Sequence, residues 1–77
     1  MLFRSLPLPP ALAEALRYGE RVQMRYVDAR GQETERVVRP LRVSARDGVM
    51  YLVAHCYRRN AQRTFRLDRI VEMTLKA

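Results

Sequence analysis

The chain has 77 residues, 48% of them hydrophobic, which suffices for one small packed domain and is too apolar for a disordered segment. Fifteen basic residues against eight acidic ones give a formal net charge of +7, and all the basic residues except Lys76 are arginines. The sequence has no run of about 20 apolar residues for a membrane-spanning helix, and its single cysteine, Cys56, excludes an intrachain disulfide.

The first sixteen residues, MLFRSLPLPPALAEAL, combine early prolines with Glu14, which does not suit a signal peptide, so a soluble cytoplasmic protein is expected. Pro9 and Pro10 stand where a helix begins, Leu12, Ala15 and Leu16 recur at helical spacing, and Gly19 supplies a stop. One short helix is predicted over about residues 10–18. From there the apolar period switches to two. In ERVQMRYV, Val22, Met24 and Tyr26 share one face, and DARGQ reads as a turn around Gly31. TERVVRPLRVSA is a second strand, in which Pro40 lacks a ladder donor and so marks an edge, a bend or a bulge. RDG at residues 46–48 turns the chain into VMYLVAHCY, the most hydrophobic strand. RRNAQ is a polar turn, RTFRL a fourth strand, DRI a short turn and EMTLKA a fifth strand. The expected fold class is mostly β: five consecutive antiparallel strands within 21–76, forming a small closed or nearly closed barrel, with one N-terminal α-helix.

The third strand separates two environments. Met50, Leu52, Ala54 and Cys56 form an apolar face for the core, where the thiol is packed rather than catalytic. Tyr51, Val53, His55 and Tyr57 form the other face, apolar in body and polar at the tips. Arg63, Arg66 or Arg69 from the adjoining segment would turn that face into a pocket for an anion, because the guanidinium is a planar fork matched to phosphate and carboxylate. From Tyr57 to Arg69 there are five arginines and one acid, Asp68, so local pairing leaves charge uncompensated. The competing reading pairs Arg66 and Arg69 with Asp68, Glu72 or Glu35 as ordinary surface ion pairs. His55 has no Cys or His companions for a metal, and none is expected. Tyr51 is assigned to packing and Tyr26 to binding, with Tyr57 open between the two. No Gly-rich phosphate loop, no nucleophile with a base and no useful carboxylate pair is present, so neither an enzyme nor a cofactor is expected.

Several segments, in order and correctly spaced, carry a recognisable pattern: AEALRYGERVQMRYVDARG, then ERVVRPLRV with its proline, MYLVAHCYRR and RTFRLDRI. Over nearly its whole length the chain resembles the WYL domain, a bacterial module of regulatory proteins. Met50 stands where the family's tryptophan usually sits, a hydrophobe in place of a hydrophobe. The resemblance implies an Sm-like barrel across a single domain, 1–77, and regulation by a bound anion. It also implies that Tyr26, His55, Arg63, Arg66 and Arg69 occupy pocket positions, with Arg36 or Arg39 and Arg58 at the rim. Family proteins commonly place a helix-turn-helix before this domain, and these residues contain none, which argues against direct promoter binding.

The function expected from residues and resemblance together is ligand sensing. An arginine-rich pocket binds single-stranded nucleic acid, in preference to duplex, or a nucleotide. The event is transmitted to a transcription regulator or to a nucleic-acid-defence effector. The alternative is a protein-interaction or oligomerisation module that docks on an acidic partner. A homodimer is expected, because so small a domain leaves much of its surface exposed.

Overall fold

Residues 8–76 are described by the structure, a computed structural model; the remaining residues of the 1–77 span lie outside the described residues. Helix α1 covers Pro10–Tyr18, with proline in its first turn as the sequence predicts. Gly19 ends it in the left-handed conformation (φ 68°), where its N–H and that of Glu20 both bond the Ala15 carbonyl. Leu12 and Ala15 are fully buried, so the helix is held by docking on the sheet rather than by its own short length.

Five strands follow: β1 Val22–Val27, β2 Glu33–Arg46, β3 Val49–Cys56, β4 Ala61–Arg66 and β5 Ile70–Leu75. A 3-10 turn, Leu67–Arg69, separates β4 from β5. Strand ends differ from those predicted by one or two residues, most at the β4–β5 connection: Ala61 and Gln62 extend β4, Leu67 leaves it for the 3-10 turn, and Ile70 and Val71 extend β5. Ala61 stands opposite Cys56 and Gln62 opposite His55, and Ile70 stands opposite Tyr26. The β1–β2 turn is organised by Asp28, whose carboxylate accepts from the N–H groups of Arg30 (2.9 Å) and Gln32 (3.0 Å). The β2–β3 hairpin turns on Asp47 and Gly48, both at positive φ (53° and 78°), the conformation that matches strand twist in a two-residue turn.

All neighbouring pairs are antiparallel, in the order β4-β3-β2-β1-β5. The sheet has the predicted five antiparallel strands but is not closed by a ladder between β4 and β5. β4 and β5 are both edges, each hydrogen-bonded to one neighbour. The physical reason lies at the corner where these edges would meet. There the chain passes through the 3-10 turn, whose residues join no ladder, and the corner is sealed by side chains: the Tyr26 hydroxyl accepts from the Arg66 backbone N–H (3.2 Å), and the Tyr26 ring lies edge-on to Phe65 (5.2 Å). The sheet is open and strongly curled.

Inside the curl sit Leu12, Ala15, Val22, Met24, Val38, Leu52, Ala54, Cys56 and Phe65, all buried. Pro40 marks a bulge. Val38 pairs with Cys56 and Pro40 with Ala54, but the next pairs are Arg42 with Val53 and Val43 with Leu52, so Leu41 is the extra residue. The bulge reverses the parity of β2. Beyond it, Val43 and Ala45 face inward and Arg42, Ser44 and Arg46 face outward.

Candidate anion-binding face

Register sets out the outer face of β2, β3 and β4 in three cross-strand rows. Arg39 pairs with His55 and His55 with Gln62; Arg42 pairs with Val53 and Val53 with Thr64; Ser44 pairs with Tyr51 and Tyr51 with Arg66. Neighbouring members of a row are about 5 Å apart, and successive rows about 6.5–7 Å. A groove of about 420 Å³ runs through these rows, lined by Arg42, Ser44, Arg46, Tyr51, Gln62 and Thr64 over a floor of Val53. Val53 is 6% exposed although it faces outward, because the surrounding long side chains cover it. No carboxylate is among those lining residues.

The acids of the outer face gather elsewhere. Around Arg25 on β1 stand Glu33, which faces it at 3.7 Å, Glu72, which pairs with it, and Glu35, which accepts from Gln23 at 3.3 Å. One half of the convex surface is thus acidic and self-paired. The other half presents Arg39, Arg42 and Arg46, for which the described residues offer no ion pair.

The residues singled out in the sequence do not all meet. Arg39 and His55 are register partners on the basic face, and the His55 ring lies edge-on to Tyr57 at 4.9 Å. Arg21 lies 5.8 Å from the centre of the Tyr57 ring, which adds a cation beside it. Arg63 and Arg66 are three residues apart on one strand and so point to opposite faces: Arg63, opposite Ala54, lies on the inner side, and Arg66, opposite Tyr51, on the outer. The Arg66 fork is engaged by Asp68, at 3.0 Å from Nε to Oδ1 and 2.7 Å from Nη2 to Oδ2. This hydrogen-bonded pairing holds the Asp68 carboxyl below its usual range and the Arg66 guanidinium above its own. Arg69 lies half-buried in the 3-10 turn, and Arg58 in the exposed turn after β3.

Tyr26 and Arg36 lie on the inner face, at the sealed corner. Arg36 is half-buried, donates from Nε to Thr34 (3.2 Å) and lies 5.7 Å from the centre of the Phe65 ring, while its Nη1 is buried with no partner among the described residues. Nearby, burial pushes the Cys56 thiol up, but the backbone N–H groups of Arg59 and Arg58, together with Arg36, outweigh it and leave the thiol below its usual range. Cys56 itself is fully buried.

Arg42, Ser44, Arg46, Gln62 and Thr64 are groove residues that sequence reading missed. The available signal was Pro40: a bulge at that point puts Arg39, Arg42 and Arg46 on one side, whereas a regular strand separates Arg39 from the other two. Among the described residues there is no cluster of three or more His, Cys, Asp or Glu able to hold a metal, and no helix long and apolar enough to cross a membrane.

Residues 8–75 match the family model of the WYL domain. Among solved structures, the chain is similar to proteasome accessory factor B/C (PafBC) of Arthrobacter aurescens, with 35% sequence identity, a TM-score of 0.80 and 87% of this chain covered. The likeness covers 11% of that protein's chain, so the present residues correspond to one small part of it. No curated protein matches the chain.

Proposed function

The chain belongs to the WYL domain family, and from that premise we propose that it is a non-enzymatic, ligand-sensing regulatory domain whose outer β2–β4 face binds an anion. The preferred ligand is single-stranded nucleic acid or a nucleotide, and the bound state is passed on to a transcription regulator or a nucleic-acid-defence effector. The observation that carries this reading is the groove itself: Arg42 and Arg46, with Arg39 and His55 one row away, lie among hydroxyl and amide donors with no carboxylate lining it. Guanidinium groups fixed on a ladder meet phosphates without first being ordered, and Tyr51 offers a ring for a base. The likeness to PafBC supports a role within a larger assembly.

Binding of a labelled 15-nucleotide oligothymidylate tests it. Arg42→Ala and Arg46→Ala are each expected to weaken binding and to make log affinity against log salt shallower by about one. Arg17→Ala, on the exposed side of α1, removes the same charge and is expected to change both far less. Equal losses at all three positions would reduce the groove to a diffuse field of net charge. Binding of polyglutamate with no binding of the oligonucleotide would assign the face to an acidic protein partner.

A further inference from the structure

Arg66 ends the row that begins with Ser44 and Tyr51, yet the groove is lined by Tyr51 and Thr64 without it. Its side chain instead borders a second cleft of about 420 Å³, walled by Leu8, Met50, Leu67 and Ile70, in which Asp68 also lies. Asp68 sits two residues on, at the first turn of the 3-10 segment, and takes both Nε and one Nη of the guanidinium in a bidentate pair. The backbone of Arg66 is fixed by Tyr26, so only the side chain is free to choose between Asp68 and the groove. Both charged groups are substantially exposed (36% and 59%), so a phosphate in the groove reaches the same fork from solvent.

We infer that Asp68 is an internal competitor for Arg66: its carboxylate occupies the fork that would otherwise serve the groove, and so sets the affinity of the basic face for anions. This rests on the anion-binding reading above and deepens it. A bidentate carboxylate and a bidentate phosphate use the same two N–H donors, so Arg66 serves one or the other. Arg69 also attracts Asp68, which keeps the carboxylate ionised and at its post when the fork is taken. An exposed pair of this kind is weak enough to exchange with a ligand. Asp68 is therefore a positioning residue whose partner at any moment reports whether the groove is filled.

Oligothymidylate binding to Asp68→Asn tests this. The variant is expected to bind about two- to fivefold tighter, as the loss of a weak exposed pair dictates, and to steepen the salt slope by about one because a further phosphate contact is made. Glu14→Gln, on the exposed side of α1, makes the same change in net charge and is expected to leave the slope unaltered. Asp68→Glu, which keeps a carboxylate within reach, should behave as the native chain, and Arg66→Ala combined with Asp68→Asn should lose the gain. If Asp68→Asn binds equally or more weakly while Arg42→Ala still weakens binding, the groove stands and the competitor is overturned. Equal tightening by Glu14→Gln overturns it as well. If neither the native chain nor any variant binds, the anion-binding reading and the competitor fall together; binding by Asp68→Asn alone would support both.

Discussion

Tyr26 on β1 and Arg36 on β2 lie diagonally on the inner face, Tyr26 opposite Thr34 and Arg36 opposite Met24, and both carry polar groups that the fold has to satisfy. The Tyr26 hydroxyl accepts from the Arg66 N–H, which ties β1 to the end of β4 across the open corner of the sheet. Tyr26→Phe keeps the ring against Phe65 and removes that acceptor, so it should lower stability by about 1 kcal/mol, read as the shift of a urea midpoint. Arg36 is less well provided for: one bond to Thr34, a ring face and a buried Nη1 without a partner among the described residues. Replacing a half-buried guanidinium by an apolar chain of similar length is often neutral or stabilising. Arg36→Met should therefore change the midpoint little or raise it, whereas Phe65→Ala, which empties a site only 3% exposed, should cost about 3–5 kcal/mol. A large loss in Arg36→Met would show that the charge contributes more than its contacts do. The carboxylates give the pH dependence. Asp28, through the Gln32 N–H foremost, and Asp68, through Arg66 foremost, are both held below their ordinary values. Depressed carboxylates stabilise the fold fully above the unfolded value, near 4, and lose that contribution as pH falls through their lower folded values. Thermal midpoints should be flat from neutral pH to about 5 and fall below about 4, less steeply in Asp28→Asn.

At the scale of elements, the second strand decides the character of the face. A regular fourteen-residue strand places alternate residues on alternate sides, and Arg39 and Arg42 then oppose each other. Leu41 restores them to one side by standing outside the ladder, at 39% exposure. Leu41→Ala should thus be mild. Deleting Leu41 removes only the extra residue: Pro40 opposite Ala54 is then followed directly by Arg42 opposite Val53, so Arg42, Ser44 and Arg46 stay outward and Val43 and Ala45 inward. The deletion should therefore keep cooperative melting and amide dispersion, whereas inserting an alanine after Leu41 should not; loss of both in the deletion would show that the bend of the bulge itself is required. The helix, the three glycine-containing turns and the inward set on β3 were legible in the sequence, because each rests on local chemistry: proline before a helix, glycine at positive φ, a period of two. The bulge was legible only as a proline, since nothing local says which residue is extra. The split of Arg63 from Arg66 was also open to reading, as an odd separation on one strand. It is obscured by the density of charge in RTFRLDRI, where three arginines stand within eight residues. Closure of the sheet was not legible at all: it depends on whether Leu67–Arg69 joins a ladder, which tertiary packing at the Tyr26 corner decides.

For the whole molecule, the question is how a chain of net charge +7 with two free sheet edges associates. Pairing edge to edge is discouraged at both. β4 carries Arg63 and Arg66, which repel their equivalents in a second copy, and β5 is interrupted between its pairings of Glu72 with Arg25 and Ile70 with Tyr26, so that Val71 bulges outward at 55% exposure. What lowers the repulsion between copies is counter-charge. A single strand of nucleic acid long enough to cross two grooves neutralises arginines on both and holds them at a fixed distance, and we propose this as the route to a dimer. In light scattering at 0.15 M salt, a 30-nucleotide oligothymidylate should bring the mass of bound protein to twice 9.1 kDa, and a 10-nucleotide strand should bring it only to one copy. Arg42→Ala combined with Arg46→Ala should prevent the doubling, whereas Val71→Lys, which adds charge at the β5 edge, should leave it intact. If Val71→Lys abolishes the doubling and the groove substitutions do not, the copies are joined through β5 and the basic face has no part in assembly. A single copy on the longer strand under all conditions would confine the domain to acting alone, with its charge screened beyond about 8 Å.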